Sequence, residues 1–305
     1  MNRAAADLGF ARLKNPFMPA SGCFGWGREY SRLFALDTLG AVVTKAVTPE
    51  PRRGNPGPRL AETPAGMLNA IGLENSGLKG ALRDDLPWLQ GQGVPILVNV
   101  AGRTPEEYAR VAEALADQDL LGLELNLSCP NVREGGIAFG VDPDLVYALV
   151  SRVGEVCPLP LVVKLTPNLA DIVEPALAAQ AAGARALTLI NTLRGLAIDS
   201  KKRRPLLGNI SGGLSGPAIK PVALYQVWQA YRAVSIPIIG CGGIAGVEDA
   251  LEFLLAGAAA LQVGSAAFAN PLVLPQLVRG LADWLVTNDT TVSELVGEAH
   301  RGREV

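Results

Sequence analysis

Leu120-Leu121-Gly122-Leu123-Glu124-Leu125 runs without a break into Asn126-Leu127-Ser128-Cys129-Pro130-Asn131, an apolar segment ending in a thiol between two carboxamides. Read as a barrel strand, the first half sets the cysteine and the asparagines at the C-terminal mouth, where this scaffold builds its chemistry. Working outward, short aliphatic or β-branched runs recur at 17–20, 41–45, 95–100, 122–126, 161–165, 186–191, 237–240 and 259–264, with segments of helical period between them. Their apolar character is continuous rather than alternating, which fits parallel strands buried on both faces.

The intervening segments carry helix-start chemistry. Thr104-Pro105-Glu106-Glu107 offers a capping hydroxyl, a proline at the first helical position and a glutamate at the third, and Val111, Ala112 and Leu115 continue a buried stripe. Asp142-Pro143 repeats the device before Leu145, Val146, Leu149, Val150 and Val153; Asp171, Pro217 and Val247 open further helices. Strand, helix, strand is the dominant rhythm. Its simplest closure is α/β, a (β/α)8 TIM barrel formed by a single domain over residues 1–305, with an open doubly wound sheet as the runner-up.

A chain of 305 residues with 49% hydrophobic content fills one large core. Twenty-seven basic residues against twenty-nine acidic ones leave a formal charge of -2, which argues against nucleic acid as a partner. The basic run Lys201-Lys202-Arg203-Arg204 reads as a solvated hairpin tip. Cysteines at 23, 129, 157 and 241 are too scattered for a metal or iron-sulfur site or a disulfide framework, so no metal is expected and the chain reads as cytoplasmic. Arg3, Asp7, Arg12 and Lys14 interrupt the first apolar pieces, and no later apolar run reaches about 18 residues, so neither a signal peptide nor a membrane span is expected. The only histidine is His300, so acid-base work at the core has to use something other than imidazole.

Two stretches break the rhythm. Residues 49–80 and 196–216 are long insertions after the second and sixth strands, predicted to form hairpins or lids above the strand ends. Three glycine clusters, Gly212-Gly213-Leu214-Ser215-Gly216-Pro217, Gly242-Gly243 and Gly264-Ser265, fall where barrels bind phosphate through late loops and a helix N-terminus. Neither a GxGxxG fingerprint after the first strand nor a GxxxxGK[ST] loop is present, which disfavours a dinucleotide fold or a nucleotide triphosphatase.

Asn99, Asn126, Lys164 and Asn191 close predicted strands and Lys45 closes the second, a ring of polar groups above apolar strand interiors. Buried lysines need their charge met, so Lys45 and Lys164 imply an anionic or electron-rich guest; a flavin's pyrimidine edge suits Lys164. Asn69, Asn126, Asn131 and Asn191 can read the alternating N–H and C=O edge of a pyrimidine. Cys157 reads as a buried hydrophobe, and Cys23 and Cys241 as packing or lining residues. Cys129, in its polar setting, is the candidate proton acceptor, with an unperturbed thiol pKa of about 8.5.

Asn126-Leu127-Ser128-Cys129-Pro130-Asn131, Val163-Lys164-Leu165-Thr166-Pro167-Asn168, Asn191-Thr192-Leu193, Gly212-Gly213-Leu214-Ser215-Gly216-Pro217 and Asn69-Ala70-Ile71-Gly72-Leu73 together resemble class 1 dihydroorotate dehydrogenase across about residues 10 to 275. The variant looks like subclass 1B, the NAD-linked catalytic subunit, from Ile190-Asn191-Thr192-Leu193 and Gly216-Pro217-Ala218-Ile219-Lys220-Pro221. The resemblance implies a barrel that binds FMN along Ser21, Lys45, Ala46, Asn99, Asn126, Lys164, Ile190, Gly216, Gly242, Gly243, Gly264 and Ser265. It implies dihydroorotate held by Lys45, Asn69, Ala70, Ile71, Gly72, Leu73, Asn126, Asn131, Asn191 and Thr192, with Cys129 taking the C5 proton as hydride leaves C6 for the flavin. Class 2 enzymes of the same family are similar but carry serine at the position of Cys129. The resemblance further implies a homodimer, or a heterotetramer with an electron-transfer subunit holding FAD and a [2Fe-2S] cluster. Rival readings are a fumarate-dependent homodimer, a dihydrouridine synthase and a non-catalytic scaffold.

Overall fold

The computed structural model describes residues 2–127 and 139–301. All eight predicted runs are strands: β1 (Phe17–Pro19), β2 (Val42–Val43), β3 (Ile96–Val100), β4 (Gly122–Asn126), β5 (Leu161–Lys164), β6 (Ala186–Leu189), β7 (Ile238–Cys241) and β8 (Ala258–Val263). They pair in parallel in the order β1-β8-β7-β6-β5-β4-β3-β2. At the seam between β1 and β2, Gly40 N–H donates to the Phe17 carbonyl at 2.9 Å. A Cβ at Gly40 would run into the Asn15 carbonyl oxygen, so glycine is what lets the chain close there. This is the (β/α)8 barrel, not the open doubly wound sheet.

The helices outside the ring start as their sequences specify. Pro105–Leu115 is capped by Thr104, whose hydroxyl accepts from Glu107 N–H at 3.3 Å, while Glu107 Oε2 accepts from Arg103 N–H at 2.8 Å. Its face of Tyr108, Val111, Ala112 and Leu115 is buried. Pro143–Gly154 starts at Asp142, whose carboxylate accepts from Asp144 N–H at 3.0 Å. The third predicted helix begins later, as Val173–Ala181, with Asp171 accepting from Val173 N–H at 2.9 Å. Lys220–Tyr231, Val247–Leu255 and Val273–Thr287 complete the outer layer that covers the late strands.

Both insertions are β-structure, and they pair with each other. Leu193–Leu196, Ser211–Ser215, Gly66–Asn69 and Leu60–Thr63 form, in that order, one antiparallel sheet above the barrel mouth. Leu68, Ala70 and Leu207 make a small core beneath it. Gly212 and Gly213, assigned from sequence to a glycine cluster near phosphate, are instead strand residues of this lid; a Cβ on Gly212 would meet the Asn69 carbonyl oxygen, and one on Gly213 the side chain of Thr192. The basic run sits exposed at the tip of the hairpin Ile198–Asp199 with Arg204–Pro205, where Lys201 N–H and Lys202 N–H each donate to Asp199 at 3.0 Å.

The expectation of wholly apolar strand interiors is corrected. Thr44, Glu124, Thr188 and Gln262 are buried within or beside the barrel strands, where each is satisfied by another polar group.

Candidate active site

Between the strand ends and the lid lies a cleft of about 990 Å³. It is lined by Ser21, Lys45, Ala46, Asn99, Asn126, Lys164, Ile190, Gly216, Gly242, Gly243, Gly264 and Ser265 from the barrel side, and by Asn69, Ala70, Ile71, Gly72, Leu73, Asn191 and Thr192 around the opening. Two candidates, Cys129 and Asn131, lie outside the described residues. Asn126, at the end of β4, lines the cleft just before that segment, and its backbone carbonyl accepts from the Tyr108 hydroxyl at 2.6 Å.

Beneath the cleft the barrel holds a connected set of polar side chains. Glu124, fully buried, accepts from Asn99 Nδ2 at 2.7 Å, from the Thr188 hydroxyl at 2.8 Å and from Gln262 Nε2 at 2.5 Å. The carbonyl oxygen of Gln262 accepts from Lys164 Nζ at 2.8 Å; Lys164 also reaches Ser21 Oγ at 3.5 Å and lies 3.9 Å from Glu124. Burial alone would drive the Lys164 ammonium to lose its proton, but the negative charges of Cys241 and Cys23, when ionised, and of Glu124 outweigh it and hold Lys164 above the usual lysine range. Its charge is therefore met from within the protein, and a guest is not needed to explain its burial. Lys45 differs: half-buried on the cleft wall, it has no ion-pair partner among the described residues, which leaves its ammonium available to an anionic ligand.

The thiols that line the cleft are poor acids. Burial first, and then Cys241, push the Cys23 thiol up to about 12, and burial likewise raises Cys241. Both are neutral near pH 7 and unsuited to take a proton there. Among the described lining residues there is no carboxylate and no imidazole. His300 lies elsewhere, stacked on Trp228 with ring centroids 3.5 Å apart. Cys157 is buried outside the cleft lining, as expected of a packing residue.

Carboxamides supply much of the remaining polarity. Asn191 Nδ2 donates to Asn126 Oδ1 at 3.2 Å, and Asn69 Nδ2 donates to the Gly213 carbonyl at 3.3 Å, which ties the lid to its own second strand. Asn99 Oδ1 is buried without a hydrogen-bond partner. An orphaned acceptor on a cleft wall fits a ligand that brings an N–H donor, such as a flavin pyrimidine ring.

At the opposite end the glycine loops meet. Gly216, with φ 98°, precedes Pro217–Ile219 and the helix Lys220–Tyr231; a Cβ on Gly243 would lie 3.0 Å from the Gly216 carbonyl oxygen and 2.7 Å from Lys220 Cβ. Lys220 does not line the cleft, because its ammonium is engaged by Asp249 at 2.7 Å and Glu252 at 3.1 Å. The loops therefore present backbone and Ser265 to the cleft, and at Gly216, Gly242 and Gly243 an added Cβ would clash, so a ligand such as a phosphate would meet backbone there.

Glu124, Thr188 and Gln262 carry no role from the sequence alone, and Thr166 and Asn168 only membership of a motif. Asn168 braces the opening: its Nδ2 donates to the Thr192 carbonyl at 3.0 Å and its Oδ1 accepts from Arg194 N–H at 2.7 Å. The available signal was a polar residue interrupting an otherwise apolar buried strand, which occurs in β4, β6 and β8.

Fold and cleft together define a parallel barrel enzyme whose ligand site lies at the strand C-termini beneath a β-lid. The dihydroorotate dehydrogenase family model matches residues 4–285, and the chain belongs to that family. It is 56% identical over 282 residues to the dihydroorotate dehydrogenase B (NAD(+)) catalytic subunit of Geobacillus kaustophilus, covering 92% of this chain and 90% of that one. The subunits of the same name from Bacillus caldolyticus and Listeria monocytogenes are 55% and 53% identical, each across 92% of this chain and 90% and 93% of their own. Among the described residues no helix is long and apolar enough to cross a membrane, and no cluster of His, Cys, Asp and Glu could hold a metal.

Proposed function

We propose that this chain is the FMN-dependent catalytic subunit that oxidises dihydroorotate to orotate in pyrimidine biosynthesis, in the cytoplasm, and passes the electrons to NAD through a partner subunit carrying FAD and a [2Fe-2S] cluster. The observation that carries this reading is the cleft itself: a cation without a protein partner, carboxamides at the opening, and a glycine cradle at the far end, in a chain similar along 92% of its length to NAD-linked catalytic subunits. A homodimer, joined to two electron-transfer subunits, is the assembly this implies.

Lys164, Asn99, Ser21, Ala46 and Ile190 would face the flavin ring, and Gly216, Gly242, Gly243, Gly264 and Ser265 its phosphate. FMN supplies, when bound, the acceptor for the hydride. Lys45 and the carboxamides of Asn69, Asn126, Asn131 and Asn191 would orient the pyrimidine and its carboxylate, with the 70–73 segment and Thr192 closing over it. Cys129 would take the proton from C5. The support for that role is by chemistry: the described lining offers no carboxylate or imidazole, and Cys23 and Cys241 keep their protons at neutral pH.

Anaerobic dihydroorotate added to the purified yellow protein should bleach the flavin; an unchanged spectrum would overturn the activity. Rapid turnover with fumarate and no added subunit would overturn the NAD assignment. Cys129→Ala should slow flavin reduction by at least about 100-fold in stopped flow with FMN still bound, the usual scale for removing an acid-base group. A wild-type rate would remove the base assignment.

A further inference from the structure

We propose that Glu124 is a positioning residue: by accepting on both carboxylate oxygens it fixes the direction of two amides, those of Asn99 and Gln262, and so holds Lys164 as an ammonium at the cleft floor. This rests on the reading that FMN lies against Lys164.

Glu124 and Asn126 are two residues apart on β4 and share a face, so Glu124 sits one layer beneath the cleft. Donors converge on it from three other strands, Asn99 on β3, Thr188 on β6 and Gln262 on β8, and an ammonium stands 3.9 Å away. That is the surrounding of a carboxylate, which can only accept. Each amide must therefore turn its NH2 group to Glu124 and its oxygen away. For Gln262 the outward oxygen is the one that receives Lys164 Nζ at 2.8 Å. For Asn99 it is Oδ1, the buried acceptor with no partner.

A neutral amide at position 124 cannot do this. Its own NH2 would face one of the three donors, so one neighbour has to turn over or lose its bond. Turning Asn99 puts an NH2 group where its buried oxygen stood; turning Gln262 sets an NH2 group against the ammonium. The charge matters as well. The titratable groups facing Lys164 are Glu124 from β4, Cys241 from β7 and Cys23 from the loop after β1. Both thiols hold their protons near neutrality, which leaves Glu124 as the anion that supports an ammonium only 3% exposed. Without it, burial dominates and Lys164 sheds its proton as the pH rises. A neutral amine stabilises negative charge on a reduced flavin less well than an ammonium.

The test uses the FMN-loaded wild-type chain and Glu124→Gln, with the midpoint potential of the bound flavin measured by equilibration with reference dyes from neutral to alkaline pH. Glu124→Gln should lower the potential, with the gap from wild type widening as the pH rises. Gln262→Met, which cuts the link while keeping both charges, should shift it the same way by less, and it carries the test if Glu124→Gln does not fold. Flavin-loaded variants with the wild-type potential at every pH would overturn the role of Glu124. A wild-type chain with no flavin spectrum would instead overturn the FMN reading, and this proposal with it.

Discussion

The barrel sheet and the lid sheet are built from the same backbone hydrogen bonds but on opposite terms. Every residue of β3, β4 and β8 is buried, whereas every residue of Ser211–Ser215 is only half-buried and Leu60–Thr63 alternates between half-buried and exposed. Barrel strands pair with their neighbours in the chain except where β8 returns to β1; the lid joins Asn69 to Gly213, 144 residues later. Apolar burial scales with area removed from water, so the barrel carries the stability. The lid has little core of its own and is free to serve the ligand.

That contrast can be broken most sharply by truncating one large side chain on each side. Phe253 is fully buried against β7, where a Cβ on Gly240 would lie 2.6 Å from its ring; Phe253→Ala should cost about 3–5 kcal/mol in urea unfolding, the usual range for such a cavity. Leu196, 52% exposed on the lid edge, should change stability by less than about 0.5 kcal/mol when replaced by alanine. Comparable losses at both sites would mean that lid and barrel unfold as one energetic unit.

A second effect, expected to be smaller at moderately alkaline pH, concerns the barrel mouth. The Cys23 thiol, ordinarily at 9.0, is pushed up to about 12 in the fold. Between those values the unfolded chain has released this proton and the folded chain retains it, so stability should fall as the pH rises across that window. Lys164, also raised, adds in the same sense: its contribution is present below the ordinary lysine value and is lost as the pH rises through the folded one. Urea midpoints that stay flat across the window would contradict this.

On ligand binding, the expected effect belongs to the lid. Gly213→Ala would press a methyl group into Thr192 where Gly213 pairs with Asn69, and should raise KM for dihydroorotate about tenfold, equivalent to ~1.4 kcal/mol. Its melting temperature should stay near that of the wild type, because the lid contributes little to the core. A large drop in melting temperature with unchanged KM would reverse the division of labour between the two sheets.

How far each region could be read in advance follows the same division. Strand ends were legible because apolar runs stop where a polar residue faces the mouth, as at Asn99, Asn126 and Lys164. The start of Pro105–Leu115 was legible because Thr104, Pro105 and Glu107 act within one turn. The pairing of the two insertions was not, since antiparallel partners far apart in sequence leave no local mark. Glu124 was passed over because one charged residue in an apolar strand looks like an interruption until Asn99, Thr188 and Gln262 are seen around it.

By itself the sequence determined the barrel and the family, because hydrophobic period, capping residues and ordered motifs act over a few residues each. Tertiary structure alone decided the lid, which exists only where residues 60–69 meet 193–215, and the polar floor, where side chains from separate strands share one carboxylate. Long-range pairing and buried charge depend on what is close in space, and that is set only after the chain has closed.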